Sequence, residues 1–152
     1  MVSKILYSHK SDEWETPQDV FDRLNDKYHF DLDACATEQN AKCHRFFDKA
    51  QDGLRQSWVG YTVWCNPPYS QIVDWVRKAA HEQRNGTTTV MLIPARTDTK
   101  WFHEYVYEKR GVSIQFIKGR LKFSGAMNSS PFPSMIVVFE KMEVQDESAG
   151  SL

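Results

Sequence analysis

Tyr61-Thr62-Val63-Trp64-Cys65-Asn66-Pro67-Pro68-Tyr69 is the stretch on which the reading of this chain turns. Residues 61–64 are β-branched and aromatic types that suit a pleated surface, Cys65 continues the run, and it must stop at Asn66, because proline brings no N–H to a strand ladder. Past the prolines, Ser70 is placed to cap a helix in which Ile72, Val73, Trp75, Val76, Ala79 and Ala80 share one face, and Asn85-Gly86 ends it. Strand, proline-stiffened turn and amphipathic helix, in that order, set Asn66 to Tyr69 at the carboxyl end of a sheet strand.

Outward from this unit, strands and helices alternate. Upstream, Thr16 reads as an N-cap and Pro17 as the first helical residue, followed by Val20, Phe21, Leu24 and Tyr28 at helical spacing. His29 to Cys35 then alternates as a short strand does. Downstream, Thr88 to Ile93 is the near-continuous apolar run of a strand buried on both faces, and a helix is expected from Asp98, with Trp101 packed in the core. Val112 to Ile117 and Ser134 to Phe139 have no helix between them and should pair antiparallel. The expectation is an α/β domain over residues 1–144, its mostly parallel sheet carrying a terminal antiparallel strand, with 145–152 as a disordered tail. Ligands of such sheets bind beyond the carboxyl ends of the strands.

With 152 residues, 41% hydrophobic and 26% charged, the chain suits one ordinary domain and carries too much apolar material for an extended disordered chain. No stretch approaches the roughly 18 apolar residues of a membrane span, and Met1-Val2-Ser3-Lys4 opens no apolar leader, so a cytosolic protein with no membrane partner is expected. Cys35, Cys43 and Cys65 are an odd set without a CxxC pair, which favours reduced thiols. A competing reading makes Cys35, Cys43, His44 and Cys65 the zinc ligands of a non-catalytic DNA-binding module. The adjacency of Cys43 and His44 strains such a site, and no metal is expected. The net charge of -1 conceals an asymmetry: residues 77–122 hold 10 Lys+Arg against 4 Asp+Glu, while residues 1–76 hold 8 against 12 and residues 123–152 hold 1 against 4. A basic third within a near-neutral protein suits a polyanionic partner.

The proline pair gives the Asn66-Pro67-Pro68-Tyr69 turn its chemistry. It allows the Asn66 side-chain oxygen and the Pro67 carbonyl to be held as rigid acceptors, with the Tyr69 ring beside them. That combination suits a planar group bearing NH2. Such an exocyclic or amide nitrogen is a poor nucleophile, because its lone pair is delocalised into the ring or carbonyl. Acceptors aimed at its hydrogens favour the form that develops positive charge, and stacking on Tyr69 would fix its plane. Alkylation of nitrogen follows as the expected reaction class.

Asn66 to Tyr69 resembles the catalytic motif of amino-group methyltransferases that use S-adenosylmethionine (SAM). The wider series extends the likeness: Trp14-Glu15-Thr16-Pro17, Leu32-Asp33-Ala34-Cys35-Ala36, Asp52-Gly53-Leu54, Pro94 to Thr99 and Gly119 to Phe123 resemble the compact phage and prophage DNA N6-adenine methyltransferases. The resemblance implies a class I, Rossmann-like three-layer fold that methylates adenine N6 in double-stranded DNA in a bacterial host's cytosol, after flipping the base out. It implies catalytic roles for Asn66, Pro67, Pro68 and Tyr69, and a SAM site at Thr16, Pro17, Asp33, Ala34, Cys35, Asp52 and Asn66, with the Asp33 carboxylate toward the cofactor's ammonium. Larger methyltransferases carry a glycine-rich loop after the first strand, which this chain lacks; small Ala34 and Ala36 stand there instead. Arg96, Lys100, Arg120 and Lys122 are the candidates for meeting DNA phosphates. Without a separate target-recognition domain, base sequence has to be read by loops or a second subunit, which leaves a homodimer open. The tetrapeptide is also similar to that of enzymes acting on protein glutamine or on RNA guanine.

Overall fold

The computed structural model describes residues 14–143. The tail expected over 145–152 lies outside them. In chain order the elements are helix α1 (Gln18–Tyr28), strands β1 (Leu32–Asp33) and β2 (Thr62–Cys65), helix α2 (Ile72–Arg84), and strands β3 (Thr88–Pro94), β4 (Val112–Phe116) and β5 (Ser134–Phe139). They build an α/β arrangement around one mixed sheet of order β1-β2-β3-β5-β4. β1, β2 and β3 run parallel, and β5 is inserted antiparallel between β3 and β4. The antiparallel strand thus lies one place in from the edge.

Strand alternation sends successive side chains to opposite faces, and both faces are covered. Val63, Cys65, Met91, Ile93, Met135 and Val137 pack with Ile72, Trp75, Val76 and Ala79 of α2. Trp64, Val90, Leu92, Ile136 and Val138 pack with Val20, Phe21 and Leu24 of α1. β3 and β5 are buried at every position, which is why their sequences read as continuous apolar runs rather than alternating ones. No helix among the described residues is long and apolar enough to cross a membrane.

Four local expectations need correction. Thr16 does not cap α1: Pro17 holds the N-cap position without a side-chain bond, and the Thr16 hydroxyl is engaged by Asn66. Ser70 is no cap either, since a 3-10 turn, Tyr69–Gln71, precedes α2 and Gln71 takes the cap position. The first strand is only two residues long. Left-handed His29 (φ 56) closes α1 by donating to the Asn25 carbonyl, and the Phe30 N–H is taken by the Asn25 side chain. At the other end, Asp33 receives the N–H of Cys35 and turns the chain away. Finally, the helix expected from Asp98 is a short π-helical turn, Phe102–Val106, whose Tyr107 N–H reaches back to the Phe102 carbonyl at 2.8 Å. The Thr99 hydroxyl accepts from the Phe102 N–H, so the helical path starts after it. Trp101 is buried as expected.

Candidate active site

The carboxyl ends of β1 and β2 open onto a cleft of about 760 Å³, lined among others by Trp14, Glu15, Thr16, Asp33, Cys35, Asp52, Leu54, Asn66, Pro67, Pro68 and Trp75. Volumes of this order suit small-molecule ligands. Of the residues expected to hold a cofactor, Thr16, Asp33, Cys35, Asp52 and Asn66 line it together, although 50 residues separate Thr16 from Asn66. Pro17 and Ala34 do not line it. Ala34 is fully buried beneath Gly53, where a Cβ would stand 2.2 Å from the Ala34 carbonyl oxygen.

Asn66 lies immediately past the last residue of β2, and three hydrogen bonds orient its side chain. Its amide nitrogen donates to the Trp14 carbonyl and to the Thr16 hydroxyl at 3.0 Å. With both donors directed into residues 14–16, the oxygen faces the other way and accepts from the Tyr69 hydroxyl at 3.0 Å. The orienting partners come from residues 14–16, a stretch the family resemblance marks for the cofactor and not for holding Asn66.

Tyr69 departs from expectation. Its ring is 4% exposed, does not line the cleft, and meets Phe132 edge-on at 5.5 Å. No face is open for stacking in this arrangement, and the hydroxyl is the part that acts on Asn66. Burial pushes the phenol well above its ordinary range, so it remains a donor at any physiological pH. Pro67 is buried and Pro68 half-buried beside it.

Asp33 sits at the end of β1, 3% exposed. Its two oxygens accept from the backbone N–H groups of Cys35 (3.3 Å) and Lys42 (3.0 Å), so it ties down the loop that walls the cleft. Burial pushes its carboxyl up to about 7, against the lowering effect of those bonds and of the Lys42 charge. The glycine-free loop after β1 is no N–H cradle: its amides are used internally, Ala34 to the Trp64 carbonyl and Ala36 to the Phe47 carbonyl. Asp52, in a left-handed conformation (φ 55), caps the next turn through the Leu54 N–H and also borders the cleft. The buried Trp75 indole, an apolar member of α2 in the sequence, forms part of the cleft wall.

This donor set fits SAM. A carboxylate with lone pairs to spare suits an ammonium, and Phe47, Leu54 and Trp75 offer apolar surface to a purine. Arg96 and Lys100 follow β3, and Arg120 and Lys122 lie on the connection from β4 to β5. All four are exposed, and both segments leave the sheet at the edge where Asn66 lies. The four residues of the zinc reading do not converge: among the described residues no three His, Cys, Asp or Glu side chains are grouped to hold a metal, and burial pushes the Cys65 thiol far up.

Comparison with known proteins bears on this arrangement. The family model described as DNA N-6-adenine-methyltransferase (Dam) matches residues 3–151. A DNA N-6-adenine-methyltransferase of Escherichia phage T1 is 38% identical over 95 residues, 61% of this chain and 40% of the relative. The chain therefore spans less than half the length of that protein. The DNA N-6-adenine-methyltransferase of Haemophilus phage HP1 (strain HP1c1) is 34% identical over 142 residues, 86% of this chain and 81% of the relative. The matched region takes in the cleft, the Asn66 turn and both cationic segments at once, and the chain belongs to the DNA N-6-adenine-methyltransferase (Dam) family.

Proposed function

We propose that this protein transfers a methyl group from SAM to the exocyclic N6 of adenine in double-stranded DNA, on a class I, Rossmann-like scaffold that receives the base flipped out of the helix. The observation that carries the proposal is the Asn66 amide, fixed by two donated bonds and by one accepted from Tyr69, with Asn66 itself lining a cleft whose other residues suit the cofactor. When bound, SAM would supply an electrophilic methyl group from a sulfonium centre, the C–S electron pair staying on sulfur as a neutral thioether. The Asn66 oxygen and the Pro67 carbonyl accept the two N6 hydrogens, which keeps the nitrogen lone pair available for the new N–C bond and stabilises the positive charge that develops. One N6 proton then leaves to solvent, and no residue need be a strong base. Asp33 and Asp52 take the cofactor's polar ends, and Trp75 and Leu54 its purine. Arg96, Lys100, Arg120 and Lys122 neutralise phosphates around the emerging base.

Methyl-labelled SAM incubated with duplex DNA, RNA and protein, followed by digestion and identification of the modified group, tests the assignment. Label in N6-methyladenine is the expected result. Label confined to RNA guanine or protein glutamine would replace the substrate, and absence of label with a folded protein would remove the function.

A further inference from the structure

Residues 14–16 form a strap whose polar atoms are taken up from two directions. From one side Asn66 donates to the Trp14 carbonyl and to the Thr16 hydroxyl. From the other, Ser124 donates its N–H to the Glu15 carbonyl at 3.0 Å and its hydroxyl to the Thr16 carbonyl at 3.2 Å. Ser124 lies 108 residues from Thr16 in sequence, on the connection between β4 and β5 that carries Arg120 and Lys122. That connection is closed on itself by the Ser130 N–H on the Leu121 carbonyl at 2.7 Å, and its buried Phe123 packs against Trp14 at 5.2 Å.

The Asn66 amide plane is fixed on its oxygen side by the Tyr69 hydroxyl and on its nitrogen side by two acceptors, both of which belong to the strap. We infer that Ser124 is a positioning residue for methyl transfer, linking the cationic connection through the strap to the Asn66 side chain; the inference rests on the methyltransferase reading of the same site. Removing the Ser124 hydroxyl releases the Thr16 carbonyl but leaves the Ser124 N–H bond and the packing of Phe123 on Trp14. The strap then stays in place with more freedom, and the Asn66 oxygen loses aim at the moment the N6 hydrogens need it. Arg120 and Lys122 are untouched, so duplex binding is not expected to change.

The test uses the full chain. Ser124→Ala is expected to lower kcat about fivefold, the rate equivalent of one ordinary hydrogen bond, with an unchanged KM for duplex DNA, and Ser124→Thr, which keeps the hydroxyl, to restore it. Independently of activity, the Asn66 side-chain NH2 pair in a 15N correlation spectrum, assigned by its disappearance in Asn66→Asp, is expected to shift in Ser124→Ala and to return in Ser124→Thr. An unmoved Asn66 pair overturns the inference, as does a wild-type kcat or a loss confined to the KM for DNA. If the wild-type protein methylates no adenine, the reading of the site fails by itself, and the Asn66 resonance still decides whether Ser124 governs that side chain.

Discussion

Replacing Asn66 by alanine removes three hydrogen bonds at once: those to the Trp14 carbonyl and the Thr16 hydroxyl, and the one received from Tyr69. At about 1 kcal/mol net for each, the folded state loses about 3 kcal/mol. In a domain of this size each kcal/mol moves the midpoint by roughly 2–4 °C, so Tm should fall by roughly 6–12 °C. A typical stability of about 5–15 kcal/mol leaves the variant folded at 25 °C. Turnover should fall by about 100-fold or more, because an acceptor used in the transition state is gone. Asn66→Asp separates the two roles. It retains an acceptor oxygen but turns a second oxygen toward the Trp14 carbonyl, so its Tm should fall as far while its turnover exceeds that of Asn66→Ala. Thermal melts followed by circular dichroism, with initial rates of label transfer at saturating SAM, give both quantities. A Tm within about 2 °C of wild type for Asn66→Ala would refute the clasp, whose cost would then be far below three bonds of ordinary strength. Near-normal turnover would refute the acceptor.

Tyr69→Phe keeps the packed ring and removes only the donor to Asn66; we expect about 1 kcal/mol of lost stability and a several-fold lower kcat, and an unchanged kcat would make the hydroxyl a spectator. Asp33 titrates near 7 in the folded protein against 3.8 for the free carboxyl, so its neutral form favours folding below about pH 4 and that contribution is lost as pH rises through 7. A cationic ligand beside it has the opposite preference: calorimetry should show SAM affinity rising from pH 6 to 8 with proton release, and a flat profile would place the ammonium elsewhere. Substituting Arg120 and Lys122 together should weaken duplex binding for all sequences and reduce the slope of log K against log salt by about one unit for each phosphate no longer neutralised; an unaltered slope would return both side chains to ordinary surface. Gly53→Ala would put a methyl group 2.2 Å from the Ala34 carbonyl oxygen and 3.1 Å from the Trp75 ring, and a melt should register overpacking of about 1–3 kcal/mol.

What could be read in advance was whatever periodicity or proline chemistry wrote into adjacent residues. The apolar runs at Thr88 and Ser134 announced doubly covered strands, and Pro67-Pro68 announced where β2 must stop. Expectation and structure part where a side chain has two suitors. Thr16 has the chemistry of a helix cap, but Asn66 reaches its hydroxyl across the fold, and no local pattern reveals a competitor 50 residues away. Tyr69 was legible as an aromatic beside the acceptors, whereas its burial against Phe132 depends on a connection with no periodic signal. The bridge pairing Asp33 with Phe46 on the outer side of β1 was equally hidden, since one pair of residues leaves no repeat to detect.

The position of β5 bears on how the chain comes to be folded during synthesis. This strand is the last in chain order among the described residues, yet it occupies an interior place, pairing with β3 from Thr89 against Phe139 to Pro94 against Ser134. While a ribosome adds the 45 residues between Pro94 and Phe139, a few seconds' work at about 5–20 residues per second, β3 emerges with one flank bare and every side chain apolar or destined for burial. Such a flank is a template for pairing with other chains. A nascent chain stalled before Ser134 should therefore be a substrate for holding chaperones and prone to precipitate, whereas one released past Phe139 can seal its own sheet.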